Sequence, residues 1–204
     1  MQLSATQAWL VDTAAEMPGA DRLLAELGAR LVADGLLLAG GALSMAVPHP
    51  LIARRTWLWR ADSGEVIEAL GFVPGAHGLA EAASPQGEAG RHWLAGLAAG
   101  PVHDETVGSR PDGPSLAWIG PRPFTPGETN ALRQAARFAA APLATLAARA
   151  TLTAALEAYL GRRSAARVLA GPLRRDIGET IQAALLFADL RGFTELSESN
   201  PPRR

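Results

Sequence analysis

The sequence contains neither cysteine nor lysine. The absence of cysteine excludes disulfide bridges and thiolate metal sites, and the absence of lysine makes every basic side chain an arginine. The 19 basic and 20 acidic residues leave a net charge of -1, and the isoelectric point lies near 6.4. We therefore do not expect a broadly basic surface that binds nucleic acid.

Signals for export and for membrane insertion are also missing. Residues 1–11 have neither a basic leader nor a long apolar segment, and no apolar run approaches the roughly 20 residues that span a bilayer. We therefore expect a cytoplasmic protein without a membrane partner. The four histidines, at positions 49, 77, 92 and 103, show no metal-ligand spacing, and we find no P-loop or dinucleotide-binding motif.

Apolar periodicity predicts an α+β domain in the first 125 residues. Leucines recur at helical spacing between residues 21 and 32, whereas residues 54–60 alternate as in a strand, with Trp57 and Trp59 on one face. The expected order is a helix, three strands, a loop, a short helix and two further strands, which together predict a small antiparallel sheet with flanking helices. The expected bounds are 21–32 for the first helix and 36–47, 54–60 and 65–70 for the three strands. The loop is expected over 71–85, the short helix over 88–98, and the last two strands over 102–107 and 116–120.

A long helix is predicted from residue 126 to residue 160. Thr125-Pro-Gly-Glu128 is a capping box with proline at the first helical position, and Pro142 is expected to kink the helix. Six small or apolar residues keep a spacing of three or four. This stripe either packs on the helix's own domain or forms the seam of a parallel homodimer. Its members are Leu132, Ala136, Ala139, Leu143, Leu146 and Ala150.

The stretch near the C-terminus predicts a strand that ends on a carboxylate. Residues 181–188 have no polar side chain after Gln182 and are followed by Asp189, as in a strand covered on both faces. Gly192 and a Thr-x-x-Ser segment come next. An acidic residue at a strand end, followed by a helix start, is a layout typical of phosphate and metal sites.

Phe187-Ala-Asp-Leu-Arg-Gly-Phe-Thr194 resembles the opening of the catalytic domain of class III adenylate/guanylate cyclases. The resemblance implies that Asp189 binds the catalytic magnesium or manganese, that the carbonyl of Leu190 adds a ligand, and that the turn holds triphosphate. That turn comprises Gly192, Phe193 and Thr194. Residues 159–179 also look like the connector that precedes this strand in bacterial members. The alternative is an ordinary strand whose terminal aspartate caps a helix.

The family's second metal carboxylate, purine-selecting residues and Asn/Arg pair have no counterpart in this sequence. We therefore expect the chain to be inactive alone and to hold no cofactor of its own, and to act as the regulatory and dimerisation module of a cyclase. Because class III sites form between two subunits, the resemblance favours the homodimer. The expected organisation is a sensory domain over 1–125, a signalling helix over 126–160, a connector over 161–178 and a truncated catalytic start over 179–204.

The order of elements over residues 18–150 resembles the GAF fold, a regulatory domain often found ahead of cyclase domains. The resemblance implies a ligand cup between the sheet and the 71–85 loop. Five residues are candidates for lining it, although the tryptophans would equally fill a core and the histidine would equally sit in an exposed turn. They are His49, Trp57, Trp59, Trp93 and Trp118. A stand-alone domain that binds a small molecule is the alternative function.

Overall fold

The structure is a computed structural model that describes residues 3–49, 51–73, 88–109, 113–171, 182–189 and 191–199. The chain divides into two units, residues 1–169 and residues 170–204. Each unit is described by itself below.

The first unit is an α+β domain, as predicted. The strands and helices expected over residues 21–120 form with bounds shifted by a few residues, and a further helix, α1, precedes them. Most of the expected 71–85 loop lies outside the described residues. The elements are α1 (Ala5–Asp12), a 3-10 turn (Ala14–Glu16), α2 (Ala20–Ala33), β1 (Gly40–Ala46), β2 (Ile52–Arg60), β3 (Val66–Phe72), α3 (Glu88–Ala95), β4 (His103–Thr106), β5 (Ser115–Ile119), α4 (Pro126–Phe138) and α5 (Ala140–Ala170).

The five strands form one antiparallel sheet in the order β3-β2-β1-β5-β4. In this register Leu43 of the central strand lies opposite Trp57 on one side and Leu116 on the other. Because side chains alternate along a strand, these three residues share one face of the sheet. Ala42, Leu58 and Ala117 form the corresponding row on the other face.

Helices cover both faces of the sheet. The larger core lies on the face of Leu43, where α1, α2, α4 and the first turns of α5 contribute buried residues. The smaller core lies on the face of Ala42 and is closed by Leu94 of α3. Helix α2 contributes to the larger core through Leu23, Leu24 and Leu27, which recur at helical spacing and are fully buried.

A long helical stretch follows residue 125, as predicted, and it is interrupted near Pro142, where a kink was expected, and at Gly161. It begins as predicted, at the capping box of Thr125 and Glu128. Helix α4 ends at Phe138 because Pro142 cannot donate to the carbonyl four residues earlier and its ring clashes with that carbonyl. The second break is at Gly161, whose φ of 75° and ψ of 156° suit glycine alone. This residue is also where the predicted connector starts.

One helical stretch among the described residues, Pro126–Ala170, would suffice by length and composition to cross a membrane. Core helices of soluble proteins meet the same criterion, and α4 packs on the sheet as such a helix does. Only 22% of the most apolar 18 residues are buried, however. The part of α5 beyond Leu146 is therefore an apolar helix that the described residues leave largely uncovered.

The second unit differs from its prediction. Residues 182–189, which include most of the expected strand, have no regular secondary structure, and their side chains are exposed. A strand is stabilised by hydrogen bonds to a neighbouring strand, and no strand of the described part of this unit is available as one. The turn at Gly192, with φ 72°, leads into a short helix, α6 (Phe193–Ser199).

Candidate functional site

The sheet separates the four tryptophans that were predicted to line one cup. Trp57, Trp59 and Trp118 lie on the face that α2 covers, whereas Trp93 packs with the smaller core on the opposite face. The rings of Trp59 and Trp118 meet edge to face, with centroids 6.4 Å apart and planes at 76°. Both are buried and belong to the larger core.

His49 shapes the connection between β1 and β2. Its Nδ1 atom accepts hydrogen bonds from the backbone amides of Leu51 and Ile52, each at 3.1 Å. Because Nδ1 accepts, the neutral ring carries its proton on Nε2. The residue is exposed, and this geometry assigns it a role in the turn.

A surface pocket of about 590 Å³ lies between α2 and the β2-β3 hairpin. Trp59 is one of its lining residues, whereas most of the 71–85 loop that was predicted to close the cup lies outside the described residues. The volume is in the range typical of sites for small organic molecules. The lining residues are Met17, Pro18, Arg22, Ala25, Glu26, Ala29, Val32, Trp59, Ala61 and Gly64.

Small residues on α2 create this pocket. Gly28 lets the helix lie directly on the indole of Trp59, and Ala25 and Ala29 on either side of it have side chains too short to fill the space between helix and hairpin. The hairpin contributes Ala61 and Gly64, and Gly64 adopts a φ of 70° in the turn. The sequence therefore builds a pocket whose lining is mostly apolar.

Both charged residues among the described lining residues have an ion-pair partner. Glu26 accepts a hydrogen bond from Nε of Arg30 at 2.7 Å, and the Arg30 guanidinium also lies over the Trp9 ring, 4.8 Å from its centroid. Arg22 has a 74% exposed side chain, and its Nε lies 3.9 Å from the carboxylate of Asp21, in the first turn of α2. Arg22 is the one basic residue in the lining, and this contact exceeds hydrogen-bond length.

The opposite face of the sheet carries a cluster of polar residues. The Ser44 hydroxyl lies 3.1 Å from both Arg54 Nε and Thr56 Oγ1, and Arg54 also donates to the carbonyls of Ser44 and Gly113. The cavity beside this cluster is about 20 Å³, which is enough for one water molecule. These groups hydrogen-bond one another across β1 and β2.

A second polar cluster joins the edge strand β4 to α4. One Glu105 carboxylate oxygen lies 3.0 Å from Nε2 of His103 and 3.5 Å from Nε of Arg133. The His103 ring also meets Phe124 edge to face, with centroids 6.1 Å apart. The cluster fastens the helix to the sheet.

The stripe predicted to pair two chains is mostly occupied within one chain. Five of its six residues are buried in the larger core: Leu132, Ala136, Ala139, Leu143 and Leu146. Only Ala150 is exposed. The structure thus gives these five residues the role of the first interpretation, packing on their own domain. The exposed apolar side chains of the helix come later and include Leu152, Tyr159 and Leu160.

The residues predicted to bind metal and phosphate belong to the second unit. Asp189 is exposed, Gly192 forms the turn, and Phe193 and Thr194 begin α6; Leu190 lies outside the described residues. Across the described ranges no three His, Asp or Glu side chains are grouped as metal ligands. A two-metal centre needs further carboxylates beside Asp189.

Comparisons with protein-family models, with curated proteins and with solved structures gave no match.

Proposed function

We propose that this chain is the regulatory and dimerisation module of a class III adenylate or guanylate cyclase. The observation that carries the proposal is the sequence Phe187-Ala-Asp-Leu-Arg-Gly-Phe-Thr194, preceded by the connector-like residues 159–179. The arrangement of the first unit supports it, because a GAF-like sensory domain would need a sheet with helices on both faces and a helix that leads out of the domain. The break at Gly161 separates that helix from the connector.

The proposed dimer contact is the exposed part of α5, because most of the predicted stripe is buried in its own domain. Leu152 is 52% exposed, and Tyr159, seven residues later, is 90% exposed. At about 100° per residue these two side chains lie on one side of the helix, roughly 120° from the buried Leu146. Ala148 and Ala155, on the same side, are small enough to let a second helix approach closely.

The occupant of this surface is a second copy of the same helix. A parallel pair would bring both connectors to one end, which is the arrangement that a catalytic site shared between two subunits requires. A shift or rotation of the pair would then change how the two catalytic domains face each other. Magnesium or manganese would be bound by the complete catalytic domain, with Asp189 as one ligand.

A fusion protein tests this proposal. Residues 1–178 would be joined to the catalytic domain of a class III adenylate cyclase that has lost its own regulatory region, and cyclic AMP formation would be measured over a range of protein concentrations with manganese and ATP. We expect the specific activity of the fusion to stay constant on dilution, because the module keeps the catalytic domains paired. The isolated catalytic domain should lose specific activity on dilution.

The matched control is the same fusion with Leu152→Glu and Tyr159→Glu, which should behave like the isolated catalytic domain. The 204-residue chain itself should form no cyclic AMP under these conditions. Turnover by the pure chain, or a fusion that loses specific activity on dilution as the free catalytic domain does, would contradict the proposal.

A stand-alone domain that binds a small molecule is the second candidate function. The observation that favours it is the pocket of about 590 Å³ beside Trp59. The two candidates are separated by the fusion, since a stand-alone binder has no reason to pair catalytic domains. They also predict different behaviour of α5, because only the regulatory module needs its exposed apolar side to contact a second chain.

A further inference from the structure

We infer that the connection between β1 and β2 is a pH-sensitive switch, which the neutral imidazole of His49 keeps ordered and which loosens when that ring is protonated. The inference goes beyond both candidate functions and depends on neither. It rests on three observations on the described residues: the two hydrogen bonds that Nδ1 accepts, the point at which the β1-β2 pairing ends, and the hydrogen bond from the same connection to the end of β3.

The hydrogen bonds of this connection require a neutral ring. Nδ1 of His49 accepts from the backbone amides of Leu51 and Ile52, each at 3.1 Å. A protonated imidazole carries a hydrogen on both ring nitrogens and accepts no hydrogen bond. Protonation therefore removes both bonds and places a third donor against the two amides.

The pairing of β1 with β2 ends before these two amides, with Ala46 opposite Arg54. The imidazole thus provides the acceptor that β1 does not provide for Leu51 and Ile52. An asparagine side chain does the same in an Asx turn, where its oxygen accepts from the amide two residues later. Unlike that oxygen, Nδ1 is lost as an acceptor when the ring takes up a proton.

The same residues contact the end of β3. The Leu51 carbonyl accepts a hydrogen bond from the Val73 amide at 3.0 Å, and Ile52 lies opposite Phe72. The side chains of Leu51, Phe72 and Val73 are exposed, so they contribute little apolar burial, and hydrogen bonds supply a larger share of the local stability. Loss of the two His49 bonds should therefore loosen the ends of β2 and β3 together.

The charged residues at this end of the three strands, among those described, are Arg54, Arg55 and Glu68. Arg54 donates to two backbone carbonyls, and Nε of Arg55 lies 3.4 Å from the carboxylate of Glu68. Carboxylates and guanidinium groups keep their charge between about pH 5 and 8, whereas an imidazole changes its charge in this range. Because only the neutral ring makes the two bonds, they are present at the upper end of this range and are lost as the pH falls.

Exchange of backbone amides with solvent, measured by NMR on the 204-residue chain at about pH 7.5 and about pH 5.5, tests the switch. Three variants are compared with the natural chain. His49→Asn keeps an acceptor at either pH, and His49→Ala removes the acceptor. His92→Asn, the same change at an exposed histidine of α3, is the matched control. Comparison of the proteins at one pH cancels the intrinsic effect of pH on exchange.

At the higher pH we expect the natural chain and His49→Asn to protect the amides of Leu51 and Ile52 equally. His49→Ala should exchange them about three- to tenfold faster, as the loss of one hydrogen bond per amide implies. At the lower pH the natural chain and His92→Asn should exchange them as fast as His49→Ala does, while His49→Asn stays protected. The inference would be overturned if the natural chain stayed as protected as His49→Asn at the lower pH, if both lost protection equally, or if His49→Ala were protected at the higher pH.

Discussion

A Cβ atom at position 28 would stand 2.6 Å from Cζ3 of the Trp59 ring, and two further ring atoms would lie at 2.7 Å. Gly28 therefore allows α2 to rest directly on the indole, which is buried between the helix and the sheet. The contact sets the height of the helix above β2. It also leaves the neighbouring space that forms the pocket.

The first prediction concerns this contact. Gly28→Ala should lower the free energy of unfolding by about 1–3 kcal/mol, because the added methyl group overpacks a rigid buried ring. Gly127→Ala is the matched control, since nothing lies within 4 Å of a Cβ atom at that helical position. That change should be neutral or stabilising by up to about 1 kcal/mol. Urea unfolding measures both, and equal effects of the two variants would contradict the contact.

The second prediction concerns the start of α4. Nη1 and Nη2 of Arg122 each donate to the Glu128 carboxylate at 2.9 Å, and the Thr125 backbone amide donates to it at 2.7 Å. These bonds, that of Arg122 above all, lower the pKa of Glu128 from 4.5 to about 2. Because the folded pKa lies below the unfolded one, this contribution to stability is complete above about pH 4.5 and is lost as the pH falls toward 2.

Glu128→Gln tests this pH dependence. The variant should be less stable than the natural chain at pH 7, and the difference should shrink as the pH falls from 4.5 toward 2. Thr125→Ala should cost about 1 kcal/mol at pH 7, since it removes the hydroxyl that caps the Glu128 backbone amide. Urea unfolding at several pH values measures both variants. If the stability difference between the Glu128→Gln variant and the natural chain did not change with pH, the prediction would be contradicted.

The third prediction separates the two parts of α5. Leu143 is fully buried and Leu152 is 52% exposed. Leu143→Ala should therefore destabilise the fold by about 2–5 kcal/mol, whereas Leu152→Ala should change the stability of the monomer by less than about 0.5 kcal/mol. Chemical denaturation at low protein concentration provides the comparison. Similar losses for the two variants would show that the helix is packed differently.

The fourth prediction concerns the break at Gly161. An alanine in the observed conformation would be strained by about 1–3 kcal/mol, so Gly161→Ala should favour a helix that continues through residue 161. Spin labels at positions 149 and 168 would then lie about 28 Å apart, since 19 residues rise 1.5 Å each. A distance distribution unchanged by the substitution would indicate that Gly161 is not what bends the chain.

Periodicity in the sequence predicted most of the first unit. The alternation of Trp57, Leu58 and Trp59 placed β2 correctly, and the leucines of α2 marked its buried side. Helix α1 was missed because its apolar residues are not confined to one side. The signal that could have revealed it is its capping box, in which Ser4 and Gln7 exchange hydrogen bonds.

The pocket and the buried stripe could not be predicted in the same way. The spacing of Leu132, Leu143 and Leu146 shows that a helix has an apolar side, but only the sheet beneath it determines that this side is buried in its own domain. Likewise, the face on which a tryptophan lies depends on strand register. The cavity depends on where Ala25 and Ala29 come to lie relative to the hairpin.

The pairing of two chains through the exposed side of α5 is the claim on which the proposed regulatory role depends. Sedimentation velocity at micromolar concentration tests it most directly on three proteins: the natural chain, the Leu152→Glu/Tyr159→Glu variant, and Ala150→Glu, which puts a charge on the other side of the same helix. At an effective dielectric constant of about 20, each close pair of like charges costs on the order of a few kcal/mol. We predict a dimer for the natural chain and for Ala150→Glu, and a folded monomer for the double variant. A monomeric natural chain, or a double variant that remains dimeric, would contradict the account.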